Sequence, residues 1–335
     1  MVHLPWVVTL SREEIRQHVQ MALAEDIGSG DVTTLPTIPE SLMASAVVVS
    51  REPLIVAGLA LAEAAFTELA SGAETFDRAH EKSTMGSSRR KEAQTPLEQG
   101  PTDENQSLLT SAPTLQTGFQ RLASDGASVG PGQALLRVHG PARILLSAER
   151  VALNYLQRLS GIATLTSRYV DAVRGTKARI LDTRKTAPGW RRLEKYAVTC
   201  GGGFNHRFGL YDQVLIKDNH LSALRQEKPN AITAAVQRAR ARYPALLVEV
   251  EADTLEQVAQ AVEAGADRVL LDNMSLDQMR AAVNLVAGRA KLEASGGVSL
   301  HTVRAIAETG VDFISVGAIT HSAPAVDIGL DFESS

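Results

Sequence analysis

In the second half of this 335-residue chain, short aliphatic runs end in residues capable of chemistry. Arg184 and Lys185 follow Ile180-Leu181-Asp182-Thr183, Lys217 follows Val214-Leu215-Ile216, and His206-Arg207 close the string CGGGFNHR. Arg150 lies upstream in SAERVALN. Carboxylates end two further runs, Glu249 and Glu251 in VEVE and Asp272 in LLDN. Clustered cations suit a polyanionic ligand, because guanidinium forks match carboxylate and phosphate oxygens. Carboxylates beside phosphates suit Mg²⁺, which needs only one or two protein ligands when phosphates supply the rest. Strand alternation puts Glu249 and Glu251 on one side, and Glu251, nearer the carboxyl end, is the better candidate. Ser295-Gly296-Gly297 and Ser315-Val316-Gly317 are glycine-rich ends whose backbone N–H groups can approach an anion, and two such consecutive ends make a phosphate grip. The three glycines before His206 and Arg207 suggest close approach of backbone to ligand. Solvated surface charges, simple ion pairs and turn glycines are the plainer readings. A charge directly after a buried strand is poorly placed for solvation alone, which favours chemistry for the set more than for any single member.

The elements that must position these residues follow from periodicity. ARILDTRK (178–185), DQVLIKDNH (212–220), ALLVEVE (245–251), DRVLLDN (267–273), AKLEASGG (290–297) and DFISVGA (312–318) read as buried parallel strands with functional carboxyl ends. Glu251, Asp272, Ser295 and Gly317 recur every 21 to 23 residues, the length of one strand–helix unit. Helices over 254–265, 275–288 and 299–310 each start at Ser or Thr and stop at Gly. From Ser147 the pattern is helical, as two helices meeting at Ser160-Gly161. Earlier, Ser11 and Glu14 stand in capping-box register for a helix over 11–25, strand material lies within 42–58, and a helix covers 58–70. Residues 80–117 are Ser, Thr, Gln, Glu, Pro and Gly with few large apolar side chains, a low-complexity insertion that cannot offset its ordering entropy.

The length allows roughly two domains. Hydrophobic content of 44% with 21% charged residues is ordinary for a soluble chain, and a net charge of −4 argues against a nucleic-acid surface. The lone Cys200 rules out an internal disulfide framework and fits a reducing compartment. With no apolar run near a membrane span and no basic, apolar leader, the expected location is cytoplasmic.

EDIGSGDVTT, GPARILLSAERVALNYLQRLSGIAT, ILDTRKTAPGWRRLEKYAVTCGGGFNHRFGLYD, LIKDNH, VEVE, LLDNM, EASGGV and SVGAITHSAP together resemble the quinolinate phosphoribosyltransferase family, the carboxylating nicotinate-nucleotide pyrophosphorylases. The resemblance covers nearly everything outside about 72–124, and family members usually lack the low-complexity insertion. It implies an α/β fold: an N-terminal α/β sandwich domain (1–146), an incomplete, atypical α/β barrel (147–319), and a C-terminal segment (320–335) returning to the first domain. It implies quinolinate and phosphoribosyl pyrophosphate as substrates, Mg²⁺, and a homodimer or larger oligomer. Arg184, His206, Arg207 and Lys217 would hold quinolinate, with Arg150 supplied across the interface, and Thr183 would join them in binding substrate. Lys185 would meet the pyrophosphate. Glu251 and Asp272 would face the ribose hydroxyls and Mg²⁺. Ser295, Gly296, Gly297, Ser315, Val316 and Gly317 would hold the 5′-phosphate. Two other readings compete: a Schiff-base lyase using Lys217, and a non-catalytic binder of phosphorylated metabolites. The intact basic set argues against the binder.

Overall fold

The computed structural model describes residues 8–72 and 117–333. The low-complexity stretch at 80–117 therefore lies, as far as residue 116, outside the described residues.

Helix α1 (Arg12–Ile27) opens with the expected capping box: Ser11 Oγ accepts from the Glu14 amide and Glu14 returns a carboxylate to the Ser11 amide. Val19 and Leu23 are its buried face. After α2 (Thr34–Thr37) come β1 (Met43–Ser50) and β2 (Leu54–Ile55), then a helical run, α3, over 59–72. Strands β3 (Gly118–Arg121), β4 (Ser128–Val129) and β5 (Ala134–Pro141) lead into α4 (Ala142–Ala172). β1 buries alternate residues, including Ala46 and Val48, as a strand with one covered face must.

The sequence predicts two helices where the structure has one, the 31-residue α4. Gly161 does not break it. A Cβ there would stand 2.0 Å from the Pro324 carbonyl oxygen, so this glycine lets the C-terminal segment lie against the helix. Arg158 reinforces the contact, donating to the Ala323 and Thr320 carbonyls at 2.6 and 2.7 Å. The helix also begins earlier than Ser147. It touches β1, β2 and β5 on one side and α5 (Arg191–Cys200) and β6 (Arg179–Leu181) on the other, joining the two halves of the molecule.

Beyond β6 the chain runs through β7 (Val214–Ile216), α6 (Asp218–Ala223), α7 (Ala231–Arg242), β8 (Val248–Ala252), α8 (Leu255–Glu263), β9 (Arg268–Asp272), α9 (Leu276–Val286), β10 (Lys291–Ser295), α10 (Val303–Ala307), β11 (Phe313–Ser315), α11 (Ala318–His321) and β12 (Ile328–Phe332). The six apolar runs are the six strands of one parallel sheet, ordered β6-β11-β10-β9-β8-β7. β6 and β7 are not paired with each other, so the barrel stays open, as expected. β12 leaves this sheet and pairs antiparallel with β1 in the sheet β12-β1-β5-β3, with Val48 opposite Leu330. Thr254 and Ser275 cap α8 and α9 as expected. Ser299 does not cap a helix: it forms a turn with Thr302, and α10 starts only at Val303. Among the described residues no helix is long and apolar enough to cross a membrane.

Candidate active site

The carboxyl ends of the parallel strands gather most of the expected residues at one mouth. Beneath that mouth two buried polar networks hold them. The first is built on Asp182, at the end of β6. Its carboxylate takes Lys195 Nζ at 2.5 Å, Asn205 Nδ2 at 2.7 Å and the His206 amide at 2.8 Å. Lys195 also donates to the His206 carbonyl at 3.0 Å. Burial pushes the Asp182 carboxyl up and the Lys195 amine down, and their mutual attraction opposes both. The turn carrying His206 and Arg207 is thus pinned through its backbone.

Gly201 and Gly203, before that turn, serve packing. A Cβ on Gly201 would meet the Ala163 carbonyl oxygen at 2.3 Å, and one on Gly203 would meet Thr166 and Val198 at 2.7 and 2.8 Å. They let the end of α5 lie on α4.

The second network fills the barrel interior. His206 Nε2 lies 3.1 Å from Glu249 and 3.4 Å from Glu293. Glu293 also accepts Arg268 Nη1 at 2.8 Å and the Ser315 hydroxyl, while Gln213 donates to Glu249 at 2.5 Å. Burial pulls the His206 imidazole down, but Glu293 and Glu249 outweigh it and raise its pKa to about 10. Glu293 is pushed up by burial yet ends at about 2, through His206, Arg268 and Ser315. The Arg207 amide sits 2.7 Å from His206 Nδ1, a contact only the neutral ring can accept. Two facing carboxylates weigh more than one adjacent amide, and the upward direction stands. Two cations (His206, Arg268) face two carboxylates, so the group is charge-balanced without a metal ion, although its ligand atoms stand within 4.8 Å of one another.

Arg207 is buried, and among the described residues its guanidinium makes one hydrogen bond, a long one of 3.4 Å from Nη1 to the Gln213 carbonyl. Burial lowers its pKa and the neighbouring Arg184 adds to that, against Glu249 and Asp212. Arg184 Nε is itself buried without a partner among the described residues. Two neighbouring guanidiniums, one with a buried and unpartnered Nε, favour an anion beside them.

Along the rim, Lys217 Nζ reaches Glu251 at 3.4 Å with its side chain 49% exposed. Burial raises the Glu251 carboxyl and Asp272 adds to that rise, so the two carboxylates share one locality, with Lys217 opposing. Asn273 donates to Asp272 at 2.9 Å and adopts a left-handed φ of 53°. Gly296 makes room for it: a Cβ there would strike Asn273 Oδ1 at 2.1 Å. Gly297 faces open space. Lys185 is exposed and lies along Gly317, its Cδ 3.2 Å from where a Cβ would sit, and Thr183 Oγ1 accepts the Lys185 amide at 3.0 Å. The Ser315 hydroxyl is committed to Glu293, and Val316 is buried with its amide on the Leu181 carbonyl. Ser295 accepts the Asn273 amide through its carbonyl. Arg150 is exposed on α4, with no hydrogen bond or ion pair to any of these residues among the described ones.

Sequence reasoning did not single out Asp182, Lys195, Asn205, Gln213, Arg268 or Glu293. A signal existed for Glu293, a charge in the middle of a strand run between Leu292 and Ala294, since a charge so placed needs a partner.

An open α/β barrel with its mouth armed in this way belongs among enzymes that handle polyanionic ligands. The family models for the quinolinate phosphoribosyl transferase C-terminal and N-terminal domains match residues 162–331 and 102–160. The chain is 39% identical over 322 residues to the carboxylating nicotinate-nucleotide pyrophosphorylase of Mycobacterium leprae, covering 94% of this chain and 96% of that one. It is 42% identical over 238 residues to a probable one from Bacillus subtilis, covering 68% and 81%. The solved nicotinate-nucleotide pyrophosphorylase of Francisella tularensis superposes with a TM-score of 0.78 at 34% identity, over 98% of this chain and 99% of that one. The chain belongs to the quinolinate phosphoribosyl transferase family.

Proposed function

We propose that this protein transfers the phosphoribosyl group of phosphoribosyl pyrophosphate to quinolinate and releases the 2-carboxylate, giving nicotinate mononucleotide, pyrophosphate and CO₂ in NAD synthesis. One observation carries the reading beyond family membership: the crowded Arg184–Arg207 pair, which calls for a ligand with more than one negative group.

Quinolinate brings two carboxylates to that pair, with Lys217 at the rim. Held there, the ring nitrogen faces C1 of the ribose. Its lone pair forms the N–C1 bond as the C1–O bond breaks and pyrophosphate departs through an oxocarbenium-like state. Lys185 is placed to offset the departing charge, a fixed electrostatic contribution. The ring nitrogen becomes cationic, and the pair of electrons left when the C2–carboxylate bond breaks is drawn toward it. CO₂ leaves and a proton replaces it at C2.

Glu251 and Asp272 fit Mg²⁺: two neighbouring carboxylates at an open mouth, one with a raised pKa, favour a shared cation. When bound, Mg²⁺ neutralises the pyrophosphate. The glycine ends Gly296-Gly297 and Gly317 would take the 5′-phosphate by backbone amides. The reading extends to a homodimer or larger oligomer in which Arg150 serves the neighbouring site, and to a cytoplasmic location that suits the lone Cys200.

A Schiff-base lyase is disfavoured, since Lys217 is half exposed and faces a carboxylate rather than an apolar or cation-flanked pocket. Comparing quinolinate with nicotinate as acceptors tests the proposal. Turnover of quinolinate at least about 100-fold above nicotinate is expected if both carboxylates are held by the Arg184–Arg207 pair and Lys217. Equal turnover would refute the dicarboxylate site, and a borohydride-trapped adduct at Lys217 would favour the lyase.

A further inference from the structure

The Ser315 hydroxyl and the Glu293 carboxylate have no place in the chemistry above, yet both are buried at the centre of the barrel. Glu293 joins three elements: Ser315 at the end of β11, Arg268 at the start of β9, and His206 on the turn that bears Arg207. Its two oxygens are divided between them, Oε1 taking Ser315 and facing His206, Oε2 taking Arg268. Arg268 is fixed in turn, its guanidinium 4.4 Å above the Phe313 ring of β11. On its other face His206 contacts the Arg207 amide. A continuous polar chain therefore runs from Ser315 at the end of β11, through the barrel interior, to the backbone amide of Arg207.

We propose that Glu293 is a positioning residue for the acceptor site, holding the His206–Arg207 turn in place, and that Ser315 serves it through its hydroxyl instead of binding phosphate. This inference rests on the proposed transferase activity. Ser315 lies two residues before Gly317, so position alone assigns it to the phosphate. The geometry assigns its side chain to the opposite substrate.

Steady-state kinetics with each substrate varied in turn provide the test, with wild type measured first. Failure of wild type to turn over quinolinate would refute the transferase reading itself. Given turnover, Ser315→Ala removes only the hydroxyl and should raise the quinolinate KM about threefold while leaving the phosphoribosyl pyrophosphate KM within about twofold. Glu293→Gln should raise the quinolinate KM about tenfold with the same selectivity, and Glu293→Asp should recover part of the loss. In the Arg207→Ala background, Glu293→Gln should add nothing further, since both act through one turn. A rise confined to the phosphoribosyl pyrophosphate KM in Ser315→Ala, an equal rise in both, or no change would overturn the inference. Full additivity with Arg207→Ala would also overturn it. If Glu293→Gln does not fold, the Ser315→Ala result decides alone.

Discussion

Asp182 and Lys195 form an ion pair at 2.5 Å with neither side chain exposed to solvent, and the pair holds the backbone of His206 from both sides. Removing one partner of such a pair strands a buried charge, at a cost of roughly 3–5 kcal/mol. Lys195→Met should therefore lower unfolding free energy by about that amount in urea titrations. Lys195→Met with Asp182→Asn should be less destabilised than Lys195→Met alone. A double variant at least as unstable as the sum of the singles would show that the two residues do not work as a pair.

Arg207→Ala should weaken quinolinate binding by about 2 kcal/mol or more, roughly 30-fold in Kd, because it leaves a carboxylate unpaired beside Arg184. Binding of phosphoribosyl pyrophosphate should change far less. Calorimetry with each substrate separates the two, and equal losses would contradict the assignment.

The interior network predicts how stability varies with pH. His206 has a folded pKa of about 10 against an ordinary 6.5, so its contribution is complete below 6.5 and is lost as pH rises through 10. Glu293 has a folded pKa of about 2 against 4.5, so its contribution is present above 4.5 and is lost as pH falls through 2. Together they stabilise most between about 4.5 and 6.5. The Tm difference between wild type and the Glu293→Gln/His206→Gln variant should be largest in that window and shrink on both sides. A difference constant with pH would contradict the charged state of the pair.

Arg150→Ala and Lys217→Ala should each be inactive alone. After subunit exchange, a one-to-one mixture should regain about a quarter of wild-type activity, since half the dimers are hybrids with one complete site of two. Absence of recovery after exchange, verified by mass spectrometry, would place Arg150 outside the neighbouring site.

The parallel sheet was legible because buried strands read as aliphatic runs ending in polar residues, and all six runs became strands. The α8 and α9 caps were legible for the same local reason, the Ser or Thr three residues before a free amide. Continuity of α4 was not. Gly161 reads as a breaker until the chain comes back to Pro324, a contact 163 positions away that no local pattern encodes. Lys195 escaped notice because a lysine on an amphipathic helix reads as solvated, and only the tertiary placement of Asp182 makes it internal. Glu251 was preferred for its place at the strand end, where it does stand, while Glu249 two residues earlier turned out to belong to the interior. Ser315 reads as phosphate-binding from its glycine neighbour, yet β11 turns its side chain inward to Glu293.

The proposed reaction couples ribosyl transfer to loss of one carboxylate. It is tested most directly with quinolinate carrying ¹³C in the 2-carboxylate, incubated with phosphoribosyl pyrophosphate and Mg²⁺ while pyrophosphate, labelled CO₂ and pyridine nucleotide are quantified together. One labelled CO₂ and one nicotinate mononucleotide for each pyrophosphate released is the predicted result. Pyrophosphate release without labelled CO₂, or labelled CO₂ in the absence of phosphoribosyl pyrophosphate, would contradict it.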